Sequence, residues 1–493
     1  MTKSSDENFI KGEVAHDEIV QSELIGSPGL HNKHKSPLEK RLLLKADSVI
    51  LPLAALAFFA SYLDRNCIGN ARVMGLQVDL DMDDSQFYNC LTMYFIGYIL
   101  FVGFANVTSR KFKPNRAIGC ALVFLGICLC GMGSAQNYAT ILALRIMLGF
   151  GCSFVPIITV YASLWYKRDE LASRTAFGGL IAYGIQHDLT YTVTGRHPWA
   201  WLFLIEGLLA VFAGLLVLVL LPRFPDDLRA RNRKHWLFTK EEIDLAADRY
   251  STYNTAGEKI QFGQIVATFK DPKTYLFGMC QGASVLGVSV VGSFLPTFIV
   301  NLGFSALHTQ LFSIIPYACA FFCVIFAGIM SDRWNSKGPF LFFGYVIGCI
   351  GYILLLSTPN AIVGIIAVCL ITSGCYTSII LLPIWLAINT GGFTKRGSAW
   401  AFAELVGLCF SIMGTRIYTE PPRFTKGHSV VLSLNALAGL CAVASYYWMR
   451  YLNKKKDGIQ ADYEARGVLH PHIASHATLE EVCDNHITFR YVL

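Results

Sequence analysis

Twelve long apolar runs dominate this chain, at 47–66, 87–108, 116–135, 138–162, 172–193, 200–221, 275–300, 309–330, 339–357, 361–387, 398–418 and 429–451. Wound as a helix, a run of about 20 apolar residues spans the hydrocarbon core of a bilayer, roughly 30 Å thick. The expectation is therefore an all-α membrane protein with twelve transmembrane helices. Composition agrees: of 493 residues, 54% are hydrophobic and only 15% charged, and the mean hydropathy is +0.45. A soluble domain carries about 25% charged residues, so this chain has too little polar surface to clothe a water-facing exterior. Disorder, collagen and nucleic-acid binding are excluded as whole-chain readings, so the bilayer and not nucleic acid is the expected partner.

The runs fall into two groups of six. The division is a tail at 1–46, a first six-helix half at 47–221, a linker at 222–273, a second half at 274–452 and a tail at 453–493. Lys and Arg gather in alternate loops: Arg110, Lys111, Lys113 and Arg116 after the second span, Lys167, Arg168 and Arg174 after the fourth, Arg333 and Lys337 after the eighth, Lys395 and Arg396 after the tenth. The loops after spans 3, 7 and 9 have none, and the loop after span 1 is acidic at Asp79, Asp81, Asp83 and Asp84. Positive charge marks the cytoplasmic side. Both termini are then cytoplasmic, with Lys454, Lys455 and Lys456 suited to an anionic inner leaflet. The polar N-terminal tail carries no cleavable signal, and the first span acts as an uncleaved anchor. The sequon Asn106-Val-Thr108 faces the cytoplasm, so no N-glycan is expected. In the linker, Thr239-Lys-Glu-Glu242 ahead of Ile243, Leu245, Ala246 and Ala247 is a capping-box start to a short amphipathic helix.

Catalytic patterns are missing. There is no GxxxxGK[ST] loop, HExxH or GxSxG, so an enzyme is not expected. The fifteen cysteines form no CxxC pair and lie mostly within apolar runs, as Cys128, Cys130, Cys319 and Cys323 do, where they act as small packing residues. His470, His472 and His476 cluster in a polar tail without further ligands, so no metal is expected. What remains is a secondary transporter or a channel.

Ionisable residues inside spans are costly and by default mark function. They are Asp64 and Arg65 in span 1, Arg145 in span 4, Glu206 in span 6, and Glu404 and Arg416 in span 11. Arg145 and Glu206 each sit ~10 Å below the outer edge at the helical rise per residue, and Asp64 lies near the outer end of span 1. Arg145 is expected to be neutralised by Asp64 or Glu206, making a carboxylate the candidate proton site; a purely structural pair is the alternative. Glu404 either lines a water-filled path or snorkels, and Arg416 either snorkels or offers a contact to a carboxylate. Glycines at Gly278/Gly282 and Gly344/Gly348 let helices approach closely.

Several motifs look familiar. Gly328-Ile-Met-Ser-Asp332-Arg333-Trp-Asn-Ser-Lys337 resembles the cytoplasmic gate-loop signature of the major facilitator superfamily, and Arg145-x-x-x-Gly149-x-Gly151 resembles its span-4 signature. Tyr62-Leu-Asp-Arg-Asn-Cys-Ile-Gly-Asn-Ala71 is similar to a segment of the fungal allantoate and vitamin permease branch of the anion:cation symporters. So are Leu164-Trp-Tyr-Lys-Arg168, Phe203-Leu-Ile-Glu-Gly207, Leu221-Pro-Arg-Phe-Pro225, Trp385-Leu-Ala-Ile-Asn389 and Thr394-Lys-Arg396. The resemblance implies a monomeric plasma-membrane symporter for a small organic anion. It would be driven by the proton gradient without a bound cofactor, and its halves would rock about a midplane site. Trp385 and Asn389 then read as structural or gating residues, with ligand binding the alternative.

Departures are visible too. Val102 and Cys152 or Ser153 stand where many members carry Glu, and Trp199-Ala200-Trp201 replaces Trp-Arg-Trp. The fifth span is short: its clean apolar part ends at Ile185, and either it continues through Gln186, His187 and Asp188 or an exon edge is missing from the gene model. A metabolite or drug exporter is the second reading, weakened because span 5 has Gly178-Gly179 but no Gly-Pro. A nutrient receptor that no longer transports, with solvated regulatory tails, is the third.

Overall fold

The computed structural model describes residues 36–111, 114–156, 158, 197–223, 225–231, 235–253, 261–301, 303, 309, 312–358, 360–418, 423–468, 470–474 and 482–493. Among these there are helices and no strand. The first half contributes α1 (Pro37–Val73), α2 (Asp84–Lys111), α3 (Pro114–Met132), α4 (Tyr138–Cys152) and α5 (Pro198–Leu220). Between the halves lie α6 (Lys240–Tyr253) and α7 (Phe262–Lys270). The second half is α8 (Pro272–Asn301), α9 (Ile314–Arg333), α10 (Gly338–Ser357), α11 (Ala361–Ile388), α12 (Phe393–Ile417) and α13 (Thr425–Ala465).

Nine of these helices are long and apolar enough to cross a membrane, and α4 is a shorter apolar helix. With α2, eleven of the twelve expected spans lie on described helices. The fifth, at 172–193, falls outside the described residues, as does the question of its length. Local signals set several helix starts. The Ser36 side chain accepts from the Glu39 amide and Pro37 opens α1; Asn137 caps α4 and Asn360 caps α11 in the same way. Leu208, Val219, Phe322, Phe326 and Leu440 are large apolar side chains exposed on the outside. In water that would be a liability; in lipid it is the solvated face.

Within the first half α3 packs on α5, α2 on α4, α1 on α5 and α3 on α4. Within the second, α10 packs on α11 and α13, α8 on α11, α12 and α13, and α9 on α11. Lipid supplies no hydrophobic drive between helices, so close approach must supply the attraction. Glycines permit it. A side chain at Gly97 would strike the Ile146 backbone, and one at Gly149 the Tyr94 backbone, so α2 and α4 meet at reciprocal glycines. Gly344 likewise faces Ser378 and Gly374, while Gly278 and Gly282 seat the rings of Phe402 and Phe410.

The halves meet along two helix pairs, α1 with α8 and α2 with α12. Both meetings lie toward the end of the bundle remote from α6 and α7, called here the far end; the opposite is the linker end. The expected capping box forms: the Thr239 amide donates to Glu242 Oε2 (2.8 Å) and the Glu242 amide to Thr239 Oγ1 (3.4 Å). Glu242 is buried and also accepts from Lys45 of α1 (2.7 Å), which ties the linker to the first half. On α7, Gln264 and Thr268 are buried against α12 while Phe262, Val266 and Phe269 are exposed.

One difference from the sequence reading concerns the C-terminal tail. Helix α13 runs on to Ala465, past the expected boundary at 452. Residues 482–493 fold back on the linker end of the second half, burying Cys483, Asp484, His486, Phe489 and Tyr491. A solvated tail was expected; the charge on Asp484 explains the docking, because it meets two lysines there.

Candidate functional site

Arg145 lies on α4 and is 1% exposed, and Glu206 lies on α5 and is 8% exposed. Both α4 and α5 pack on α3. A guanidinium stays charged at any accessible pH, and placing one at a bilayer centre costs ~2.5–3.5 kcal/mol on insertion scales. A guanidinium buried there requires counter-charge or hydrogen-bond partners within the bundle. The Cys90 thiol on α2 is near enough to interact with it electrostatically. Asp64 and Arg65 lie on α1, but their side chains are outside the described residues, so the expected Asp64–Arg145 pairing is too. Cys152, which with Ser153 is one of two candidates for the position where many family members carry Glu, accepts a long hydrogen bond from Ser61 of α1 (3.6 Å).

In the second half, Glu404 of α12 accepts from Gln281 Nε2 of α8 (2.9 Å). Nearby, Ser284 Oγ and Tyr345 Oη lie 2.8 Å apart, and the Tyr345 hydroxyl reaches the Cys280 carbonyl (2.8 Å). Ser289 and Ser411 pair at 2.8 Å. These pairs place hydrogen-bonded polar groups inside this half.

At the far end the halves are sewn together by Arg416 and by side chains that the sequence reading did not single out. Tyr88 donates to the Tyr418 carbonyl (2.9 Å), and the Thr92 and Thr415 hydroxyls meet at 2.8 Å. Arg416, exposed at the end of α12, donates to Asn89 Oδ1 on α2 (2.6 Å). It neither snorkels alone nor points inward; it bridges the halves. An aromatic cluster of Phe294, Phe298, Phe424 and Tyr418 surrounds His428, whose ring nitrogen lies 3.2 Å from the Tyr418 hydroxyl. The acidic loop is anchored as well: Asp79 accepts from Trp199 Nε1 (2.7 Å) and contacts His197 (2.7 Å). These residues are of ordinary types in apolar helices, and only their three-dimensional pairing marks them.

The gate-loop residues sit together at the linker end. Ser331 donates to the Gly328 carbonyl, and Lys337 pairs with Asp332 and donates to Ser331 Oγ (3.1 Å). Arg333 closes α9. Trp385 and Asn389 are fully buried at the end of α11, where they hold backbone of the C-terminal segment: Trp385 Nε1 donates to the Val492 carbonyl (3.0 Å), and Asn389 bonds both the carbonyl (2.9 Å) and amide (2.8 Å) of Val492. Asp484 pairs with Lys273 and Lys395. Burial alone would raise its carboxyl pKa; the two ammonium groups overcome this and hold it below the usual carboxylate range. Among the described residues, no group of three or more His, Cys, Asp or Glu side chains is arranged to hold a metal ion.

Apolar helices in two packed groups, joined at one end and carrying buried charges, define a polytopic membrane protein of the transporter class. The chain belongs to the Major Facilitator Superfamily, whose family model matches residues 54–415. It is similar to a high-affinity nicotinic acid transporter of Saccharomyces cerevisiae, 28% identical over 91% of this chain and 85% of that protein. The MFS-type transporter cnsO of Penicillium expansum is 30% identical over 87% of each chain. The solved structure of the xylose transporter XylE from E. coli, in a partially occluded inward open conformation, shares the fold. Its TM-score is 0.60 at 15% identity, covering 79% of this chain and 95% of that one. These relatives are transporters and not enzymes.

Proposed function

We propose that the protein is a secondary active transporter for a small organic anion, a carboxylate or vitamin-like compound, working by proton symport and alternating access. The observation that carries the reading is Arg145: a permanently charged group, 1% exposed, within a bundle of apolar helices. In this reading Arg145 contacts the substrate carboxylate, and Glu206 or Asp64 carries the proton. The relative named as a nicotinic acid transporter supports the substrate class. The energy source is the proton gradient, with no bound cofactor, and the working unit is a monomer.

The linker end is assigned to the cytoplasm of a plasma-membrane protein. Support comes from the charge asymmetry: Lys40, Arg116, Lys270 and Arg333 lie toward that end, and the Asp79–Asp84 acids toward the other. With this orientation the Tyr88–Tyr418 and Thr92–Thr415 contacts close the external side. The conformation is then one closed to the outside.

The test is uptake of a panel of labelled carboxylates into cells expressing the chain, with and without a protonophore. Uptake abolished by the protonophore is expected. Export of a metabolite without carboxylate uptake would overturn the reading.

A further inference from the structure

Residues 482–493 make contacts of an unusual kind for a transporter tail. Val492 has its amide and carbonyl both bonded by the Asn389 side chain, and Trp385 adds a second donor to the carbonyl. Asn453 does the same for Tyr491, giving to its carbonyl and accepting from its amide at 2.9 Å each. Lys456 donates to three carbonyls of this backbone, those of Asp484, His486 and Phe489. The Lys337 amide reaches the Leu493 carbonyl at 2.7 Å. This is the recognition of a peptide largely through its main chain, over a short 3-10 turn at Cys483–Asn485 and the strand-free residues that follow it. One side chain gives it a charge register: Asp484, 1% exposed, meets Lys273 of α8 and Lys395 of α12, and the Tyr491 hydroxyl donates to it (3.0 Å).

The receiving surface is shaped for this segment. A Cβ at Gly391 would lie 2.6 Å from the Asp484 amide nitrogen. Gly392 has a φ of +83°, a left-handed conformation suited to glycine, and a Cβ there would lie 2.9 Å from Cys483 Sγ. The segment touches the linker ends of α8, α10, α11, α12 and α13, five helices of one half. With the segment docked, both lysines are nearly sealed from solvent, and Asp484 and Asp271 are the carboxylates that pair with them. Asp484 thereby bridges α8 to α12, and a lysine in its place would set a third ammonium against two buried ones and drive the segment out.

We propose that this groove is a peptide-binding site whose ligand is segment 482–493 of the same chain, and that its occupation holds the five helix ends as one body, a condition for transport. The second clause rests on the transport reading above; the first does not. Rocking requires each half to move as a unit, and the segment ties the gate-loop residue Lys337 to the end of α11.

Cys483 reports occupancy, because it is buried when the segment is docked. Its reaction with a charged maleimide, followed by peptide mass, is expected to accelerate about tenfold or more in full-length Asp484→Lys, as local opening predicts. Asp484→Glu should protect Cys483, and Asp462→Ala, which breaks a pair outside the groove, should leave its rate unchanged. In proteoliposomes, deletion of 482–493 should lower carboxylate uptake about tenfold. A synthetic peptide of that sequence should restore uptake, and one carrying the Asp484→Lys change should not. Should the deletion fail to fold, uptake by full-length Asp484→Lys carries the same test. Equal Cys483 labelling in Asp484→Lys and the parent overturns the site. Full uptake in a variant with labelled Cys483 overturns the link to transport. If the parent itself takes up no carboxylate, the transport reading fails while the labelling result still decides the site.

Discussion

The Thr92 and Thr415 hydroxyls lie 2.8 Å apart across the boundary between the two halves. Each also lies within reach of a carbonyl of its own helix, Thr92 of Tyr88 (2.9 Å) and Thr415 of Ile412 (2.8 Å); with one proton per hydroxyl, one threonine donates to its carbonyl and accepts from the other threonine. Both residues are buried. Buried hydroxyls seek partners, so the pair is a latch that holds the far end shut and must part when the halves rock. Tyr88 and Asn89, on the same turn of α2, add the bonds to Tyr418 and Arg416.

Thr92→Val and Thr415→Val should each weaken this closure by ~1 kcal/mol, the net worth of a hydrogen bond. Because they share one contact, the double variant should cost clearly less than the sum of the two singles. Thermal unfolding of the purified variants measures this. Strict additivity would show that the two hydroxyls do not act on each other.

Gly69 makes the other crossing. A Cβ there would lie 2.5 Å from the Ser293 carbonyl oxygen, with the backbone of α8 unable to yield as a side chain would. Gly69→Val should therefore hold the far end open, leaving a folded protein with strongly reduced transport. Cys67, buried two residues away on α1, should become reactive to a thiol reagent applied from the far side. An unreactive Cys67 together with normal transport would mean that α1 and α8 need not close.

Arg145→Ala should abolish uptake, and Arg145→Lys should raise KM about ten- to a hundredfold, since a charge-assisted contact is worth ~1.5–3 kcal/mol. Glu206→Gln should uncouple uptake from pH. Initial-rate measurements across about pH 5–8 separate the two. Unchanged pH dependence in Glu206→Gln would remove it from the coupling role and leave Asp64.

The docked segment carries a pH expectation of definite sign. The Asp484 carboxyl, raised by burial but lowered further by Lys273 and Lys395, ionises below its unfolded value of about 3.9. A lowered folded value stabilises at pH above the unfolded one and is lost only as pH falls through the folded one. Cys483 should thus stay protected from neutral pH down to about 4, and loss of protection near pH 6 would assign the anchoring to another group.

Much of this architecture can be read from hydropathy. Eleven of the twelve runs lie on described helices, because length and apolar character suffice to specify a helix in lipid, and the Thr239–Glu242 capping box formed because it is a local pattern. Arg145 and Glu206 stood out because charge within an apolar run is conspicuous. The latch did not, since Tyr88 and Thr92 are common residues whose partners lie more than three hundred positions away. Asn389 was noticed for its motif, but its partner Val492 carries no signal beyond an apolar side chain; what Asn389 reads is backbone. Asp484 looked like one acid in a polar tail until the fold brought two lysines to it.

The most direct measurement is made on the purified protein in proteoliposomes with labelled nicotinate outside and an imposed proton gradient, acid outside. The account predicts accumulation above the external concentration, collapsed by a protonophore and absent in Arg145→Ala. If a panel of small carboxylates, nicotinate included, accumulates no further with the gradient than without it, the account of a proton-coupled anion transporter is contradicted.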